Sequence, residues 1–230
     1  MAFRFPSLLP KPNVSRFLRN RQMSHDGQNN YFTFFSLPPK LIVDTAALEK
    51  SFYALSRKLH PDRFASKTAA EQEAALAQSS LLNDAYRTLK DPIARTEYLL
   101  KLEGVELEEQ SKAATEAARA TGAAKQQIVP ADLLEEAFEL NMQLEEMRMA
   151  KKMGEDDPQL RQDLLAAKAG FDAKMAATQA ELERLWAKWD AGVDADDAVV
   201  KASARDAMVA LLNRRSYLRN LVRDVNEALE

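Results

Sequence analysis

The stretch that decides the fold is DTAALEKSFYALSRKLHPDRF, residues 44–64. The proline near its end stops a helix, because a residue that precedes proline avoids helical backbone angles. The tripeptide His60-Pro61-Asp62 is therefore predicted to occupy a loop after a helix. The apolar side chains of that helix recur at positions i, i+4, i+7 and i+11 and so share one face; they are Leu48, Phe52, Leu55 and Leu59.

Two more helices are predicted after this loop. The second begins at Asp91-Pro92, where the acid can cap a first turn that the proline occupies, and it ends at Gly104. Before the loop, the aromatic segment at residues 31–39 needs a core in which to bury its rings. Residues 31–104 are thus predicted to form a helical hairpin with the loop at one tip. Of the two helices that follow the loop, the first spans residues 71–90. Its apolar side consists of Leu76, Leu81, Leu82, Ala85, Tyr86 and Leu89.

The composition favours helix and excludes several classes of function. Six glycines in 230 residues, with abundant alanine, leucine, glutamate and lysine, favour helix over sheet. The chain has no cysteine, so it holds no disulfide, no thiolate zinc site and no cysteine-ligated iron–sulfur cluster. With only His25 and His60 as histidines, neither a metal site nor any cofactor is expected. No apolar run approaches the roughly 20 residues that span a bilayer, so no membrane partner is expected.

Charge is distributed unevenly along the chain. Formal charge is about +4 over residues 1–30, about +1 over residues 31–104 and about −8 over residues 105–230. An acidic C-terminal half without a basic stripe argues against a nucleic-acid partner. Residues 1–30 are predicted to be a disordered extension, with residues 1–22 dispensable. Their proline-broken start predicts a bacterial cytoplasmic protein, and their acid-free arginine content keeps the mitochondrial matrix as the alternative.

The loop and its flanking helices resemble a J-domain. A helix with cations off its apolar face is followed by His60-Pro61-Asp62 and then by a helix that contains NDAY, residues 83–86. The segments YFTFFSLP, LHPDRFASKT and DPIARTEYLL are also similar to the HscB family, the J-domain co-chaperones of iron–sulfur cluster assembly. The resemblance runs from Tyr31 to the C-terminus. It implies an all-α fold with an N-terminal J-domain and a C-terminal helical domain.

The resemblance further implies that the loop docks on a DnaK/HscA-type chaperone and stimulates its ATPase. Pro61 restricts one backbone torsion, which lowers the ordering cost of binding. Asp62 offers two acceptor oxygens, which suit an arginine of a partner. Cations beside the loop would steer the encounter with an acidic patch. The predicted chaperone-binding residues are His60, Pro61, Asp62, Arg57, Lys58 and Arg63.

An enzyme is the weakest interpretation. His60 and Asp62 could in principle form an acid–base pair. However, the sequence has no glycine-rich phosphate loop and no set of metal ligands, and His60 has no nucleophile nearby in sequence. We therefore predict no catalytic residue and no enzymatic activity.

The C-terminal residues 131–230 are predicted to form an antiparallel three-helix bundle, because long amphipathic helices joined by short loops pack in this way. Its first helix is capped by Asp132 and ends at Gly154, and its second begins at Asp157-Pro158. A third begins after AGVDADD, at Ala198. The preceding residues 105–130 are predicted to be a linker, either a mobile loop or a single exposed helix.

One helix of this bundle, from Asp132 to Met149, has more apolar residues than one buried stripe requires. Some of them must therefore be exposed, and exposed apolar residues beside acids suit a partly basic partner. The HscB resemblance implies that this face binds the iron–sulfur cluster scaffold protein. Plain bundle core is the alternative for Leu134 and Phe138. The predicted scaffold-binding residues are Leu134, Phe138, Glu139, Met142, Glu146 and, on the last helix, Tyr217.

These patterns predict a co-chaperone that delivers the iron–sulfur cluster scaffold protein to its DnaK/HscA-type chaperone. A J-domain adaptor for a different client, bound through the same C-terminal bundle, is the alternative. Binding to the scaffold protein separates the two.

Overall fold

The computed structural model describes residues 30–105, 107 and 130–230. Within these residues the chain forms seven α-helices and no strand, which confirms the all-α prediction. The predicted N-terminal extension lies outside the described residues except for Asn30, and so does most of the linker. The α-helices are α1 (Tyr31–Phe34), α2 (Thr45–Leu59), α3 (Ala69–Lys90), α4 (Pro92–Leu102), α5 (Leu134–Met153), α6 (Pro158–Asp194) and α7 (Ala198–Leu229).

Helices α2 and α3 form the predicted hairpin. Asp44 caps α2 by accepting from the amides of Ala46 and Ala47, and Asp91 caps α4 by accepting from the Ala94 amide at 2.7 Å. Two details differ from the prediction. The aromatic segment begins as the short helix α1, and Leu76 on α3 is 62% exposed instead of buried.

The C-terminal half contains the three predicted helices, and two of their ends differ from the prediction. Helix α6 does not stop before AGVDADD but continues to Asp194, so the turn between α6 and α7 is only three residues long. Asp132 does not cap α5, since it lies in a 3₁₀ turn, Ala131–Leu133, and pairs with Arg214 of α7. The hydrogen bond from Arg214 lowers the pKa of the Asp132 carboxyl.

Two hydrophobic cores lie along the α6–α7 pair. The first core joins the N-terminal half to one end of the pair, and it includes Phe32, Leu41, Leu48, Leu82, Leu89, Leu99, Trp186, Trp189 and Met208. The second core lies between α5 and the other end, and it includes Leu133, Leu140, Leu144, Leu164, Phe171, Tyr217, Leu218 and Val225. Leu107 is buried in the first core and Val105 packs against it, so the start of the predicted linker is not an exposed loop.

A buried polar clamp also ties the two halves together. The carboxylate of Asp190 on α6 accepts from the backbone amides of Leu41 at 2.7 Å and Ile42 at 2.9 Å. The Arg95 guanidinium donates to the Leu41 carbonyl at 2.9 Å, and the Trp189 indole donates to the Pro39 carbonyl. Because this segment leads directly into α2, the clamp fixes the start of the helix that precedes His60.

Candidate functional site

The His-Pro-Asp tripeptide lies at the C-terminal end of α2, where the chain enters the 3₁₀ turn Pro61–Phe64. His60 has an extended backbone, with φ −60° and ψ 127°. Its Nδ1 accepts from the Asp62 amide at 3.3 Å and lies 3.4 Å from Oδ2 of the Asp62 carboxylate. The Asp62 side chain is 87% exposed. The tripeptide therefore presents an exposed histidine and an exposed carboxylate to solvent, on a turn in which the Arg63 amide donates to the His60 carbonyl at 3.0 Å.

Contacts on both sides stabilise this turn. Arg63 donates from Nη1 to the Arg57 carbonyl at 3.1 Å, which satisfies one of the unpaired carbonyls at the end of α2. The side-chain amide of Gln72 on α3 donates to the carbonyls of Ala65 and Lys67. Arg63 thus has a local structural contact, and its guanidinium is not wholly available to a partner.

Arg57 and Lys58 are both exposed in the last turn of α2. Cations in this position also stabilise the helix, because its C-terminus carries partial negative charge. The structure therefore brings together all six predicted chaperone-binding residues at one end of the hairpin.

Side chains between α2 and α3 hold the two helices of the hairpin together. The rings of Phe52 and Tyr86 stack with their centroids 4.2 Å apart, and Lys90 lies 5.3 Å above the Tyr86 ring. Its contacts with Tyr86 raise the pKa of Lys90. Ala85, which precedes Tyr86 in the NDAY segment, is fully buried. The hairpin is therefore packed along its length, and the exposed tripeptide does not contribute to its core.

A second exposed surface lies on α5. Leu134, Phe138 and Met142 are 60%, 67% and 61% exposed. They follow each other at i, i+4 and i+8, so they form one stripe along the helix. The side chains that face the second core are Leu133, Ala137, Leu140, Leu144 and Met147. The prediction that part of this apolar surplus is exposed is confirmed, and the alternative of plain core is wrong for Leu134 and Phe138.

The other predicted scaffold-binding residues divide into two groups. Glu139 and Glu146 are exposed on α5, on the flank of this stripe. Tyr217, in contrast, is only 8% exposed and belongs to the second core, and burial raises the pKa of its hydroxyl. Its ring is therefore not an exposed aromatic of the stripe, contrary to our expectation for a contact residue.

Sequence reasoning missed two features. Met149 and Met153 are also exposed and continue the stripe toward the end of α5, at i+7 and i+11 from Met142. Helical periodicity alone could have found them. Nothing in the sequence indicated that Asp190 forms the clamp, because the residues it joins are about 150 positions apart.

Both surfaces are exposed to solvent. Among the residues that the structure describes, no group of three or more histidine, aspartate or glutamate side chains could hold a metal ion. In the same residues, no helix is long and apolar enough to cross a membrane. An exposed acid on a fixed turn and an exposed apolar stripe are surfaces on which other proteins can dock.

Comparison with known proteins defines the class of the first region. The family model of the DnaJ domain matches residues 30–98. That range contains α1 to α3, the His-Pro-Asp turn and most of α4. Residues 30–98 therefore form a J-domain, as the sequence predicts.

The fold of most of the chain is similar to that of a solved co-chaperone. It is similar to the crystal structure of the human co-chaperone protein HscB, with a TM-score of 0.53 and 23% identity over 91% of this chain and 87% of the human one. The chaperone HscB from Vibrio cholerae is 25% identical over 84% of this chain and 96% of that one, with a TM-score of 0.44. The match to the DnaJ domain and the likeness to the human protein confirm the resemblance for the J-domain and for the fold.

Proposed function

We propose that the protein is a co-chaperone that delivers the iron–sulfur cluster scaffold protein to a DnaK/HscA-type chaperone and stimulates that chaperone's ATPase during cluster transfer. The observation that carries this proposal is the pairing of two exposed docking surfaces on one HscB-like fold. One is the His-Pro-Asp turn of the J-domain, and the other is the apolar stripe on α5.

The turn supports the chaperone half of the proposal. His60, Pro61 and Asp62 form the contact, and Arg57 and Lys58 add positive charge beside it. The tripeptide is fixed by its own hydrogen bonds before any partner arrives, so little conformational entropy is lost on docking. Arg63 contributes by holding the turn against the end of α2.

The stripe supports the part of the proposal that concerns binding of the scaffold protein. Leu134, Phe138 and Met142 supply an apolar patch, and the exposed acids Glu139 and Glu146 flank it. A patch of this kind suits a partner with apolar and basic side chains. Tyr217 contributes indirectly, because it belongs to the core against which α5 packs.

The protein acts in this proposal as an adaptor without catalytic activity of its own. The ATP is hydrolysed by the chaperone, and the cluster belongs to the scaffold protein. We propose the bacterial cytoplasm as its compartment, with the mitochondrial matrix as the alternative. Sequencing the N-terminus of the native protein decides between them, because cleavage beyond Met23 in an organelle would overturn the cytoplasmic assignment.

The test is the ATPase rate of the DnaK/HscA-type chaperone, measured with this protein and with or without the scaffold protein. The proposal predicts stimulation by this protein alone and further stimulation when the scaffold is added. A pull-down of the scaffold on the immobilised full chain accompanies it. Stimulation without any scaffold binding would favour the alternative of a J-domain adaptor for a different client.

A further inference from the structure

The stripe on α5 is longer than the predicted scaffold-binding segment. Leu134, Phe138, Met142, Met149 and Met153 fall within about 100° of the helix circumference and extend over about 28 Å of its length. All five are at least 60% exposed. Three exposed charged side chains also fall in this arc and interrupt the stripe: Glu135, Lys152 and Glu145, of which Glu145 is paired with Arg148. The surface available to a client therefore extends two turns beyond Glu146.

Methionine supplies most of this surface. Met142, Met149 and Met153 are 61%, 60% and 66% exposed. The other methionines in the described part of the chain are less accessible: Met147 and Met208 are buried, and Met175 is half-buried. Because the chain has no cysteine, methionine is its only oxidisable sulfur.

We propose that Met142, Met149 and Met153 form an oxidation-sensitive modification site, at which peroxide releases the client from the stripe. This inference rests on the proposed function of the stripe. In the reaction, a lone pair of the thioether sulfur attacks one peroxide oxygen and the O–O bond breaks. The sulfur is oxidised by two electrons to the sulfoxide, and the peroxide is reduced. The attacked oxygen loses its proton, and the other oxygen takes up a proton and leaves as water.

The chemical consequence follows from the change in polarity. A thioether packs as an apolar group, whereas a sulfoxide oxygen is a strong hydrogen-bond acceptor. Burying that oxygen against an apolar partner surface without a donor is unfavourable. Oxidation therefore weakens client docking. The His-Pro-Asp turn contains no sulfur and lies on the other half of the molecule, so its action on the chaperone persists.

The experiment measures the Kd for the iron–sulfur cluster scaffold protein before and after treatment of the full chain with hydrogen peroxide. Mass spectrometry confirms sulfoxide at the three positions, and circular dichroism confirms that helix content is unchanged. We expect oxidation to weaken binding at least about tenfold, the scale of losing contacts in an apolar interface. Methionine sulfoxide reductases of both stereospecificities should restore the affinity.

Two variants localise the effect. In the triple variant Met142→Leu/Met149→Leu/Met153→Leu, the Kd after peroxide treatment divided by the Kd before it should be close to one, whatever the affinity of the untreated variant. In Met175→Leu, the matched control on α6, the ratio should equal that of the wild type. If oxidation lowers the affinity of the triple variant as much as that of the wild type, or leaves the Kd of fully oxidised wild type unchanged, the proposal is overturned. Failure of the untreated protein to bind the scaffold would instead overturn the proposed function, and the inference with it.

Discussion

The His-Pro-Asp turn and the α5 stripe are both exposed, but they are stabilised in opposite ways. The turn is a short polar segment, and its conformation is fixed by local hydrogen bonds such as that from Arg63 to the Arg57 carbonyl. The stripe is apolar, and its position is fixed from the other side of α5, where Leu133, Leu140 and Leu144 are buried. The position of the polar turn thus depends on local hydrogen bonds, whereas the position of the apolar stripe depends on the packing of the opposite face of α5.

The largest effect is expected at the turn. His60→Gln or Asp62→Asn should abolish stimulation of the chaperone ATPase, because each removes a group that the turn presents to solvent. The same changes should alter the free energy of unfolding by no more than about 0.5 kcal/mol, since neither side chain is in the core. Steady-state ATPase assays and urea denaturation check the two parts. Full stimulation by both variants would show that the tripeptide is incidental.

The next effect is expected at the stripe. Phe138→Ala should weaken scaffold binding at least roughly 30-fold, because truncating an aromatic anchor costs about 2 kcal/mol or more. Titration calorimetry measures the change, and chaperone ATPase stimulation without scaffold should be unaffected.

Leu140→Ala is the matched control on the buried face of α5, where Leu140 is 1% exposed. It should instead lower the free energy of unfolding by about 2–5 kcal/mol. If Phe138→Ala unfolds the C-terminal bundle as Leu140→Ala does, the division between exposed stripe and core is wrong.

A smaller effect is expected for the cations beside the turn. Arg57→Ala combined with Lys58→Ala should lower the association rate with the chaperone about three- to tenfold, because exposed charges act mainly by steering. Raising the ionic strength should reproduce this loss in the wild type, since salt screens exposed charges. Stopped-flow binding at several salt concentrations tests this, and a salt-independent rate would count against it.

The smallest effect is expected at Tyr217. Because its side chain is 8% exposed within the second core, Tyr217→Phe should leave the Kd for the scaffold within about twofold of the wild-type value. The Kd is measured by the same calorimetry. A loss comparable to that of Phe138→Ala would place the Tyr217 hydroxyl in the interface after all.

The sequence predicted the turn more fully than the stripe. Pro61 and the periodicity of α2 are local signals, and they were sufficient to predict the helix, its end and the exposed tripeptide. On α5 the surplus of apolar residues predicted only that some are exposed, and the choice of Leu134, Phe138 and Met142 came from the HscB resemblance. Which side chains are exposed depends on the surfaces that α6 and α7 present. The continuation to Met149 and Met153, in contrast, follows the helical periodicity of the stripe and was overlooked.

The joining of the two halves was not predictable. Leu41 and Asp190 are 149 positions apart, and nothing in either segment indicates that the carboxylate binds two backbone amides. The length of α6 was underestimated because AGVDADD reads as a turn, although its first four residues are helical. Such contacts are decided by tertiary packing, which overrides local propensity.

The most direct test of the central claim is one set of chaperone ATPase measurements with the wild type, Asp62→Asn and Phe138→Ala, each with and without the iron–sulfur cluster scaffold protein. If the two surfaces act separately, Asp62→Asn gives the unstimulated rate in both conditions. Phe138→Ala keeps the stimulation seen without scaffold and loses the further increase that scaffold produces in the wild type. Loss of both responses in the folded Phe138→Ala variant, or an undiminished scaffold response, would contradict the claim.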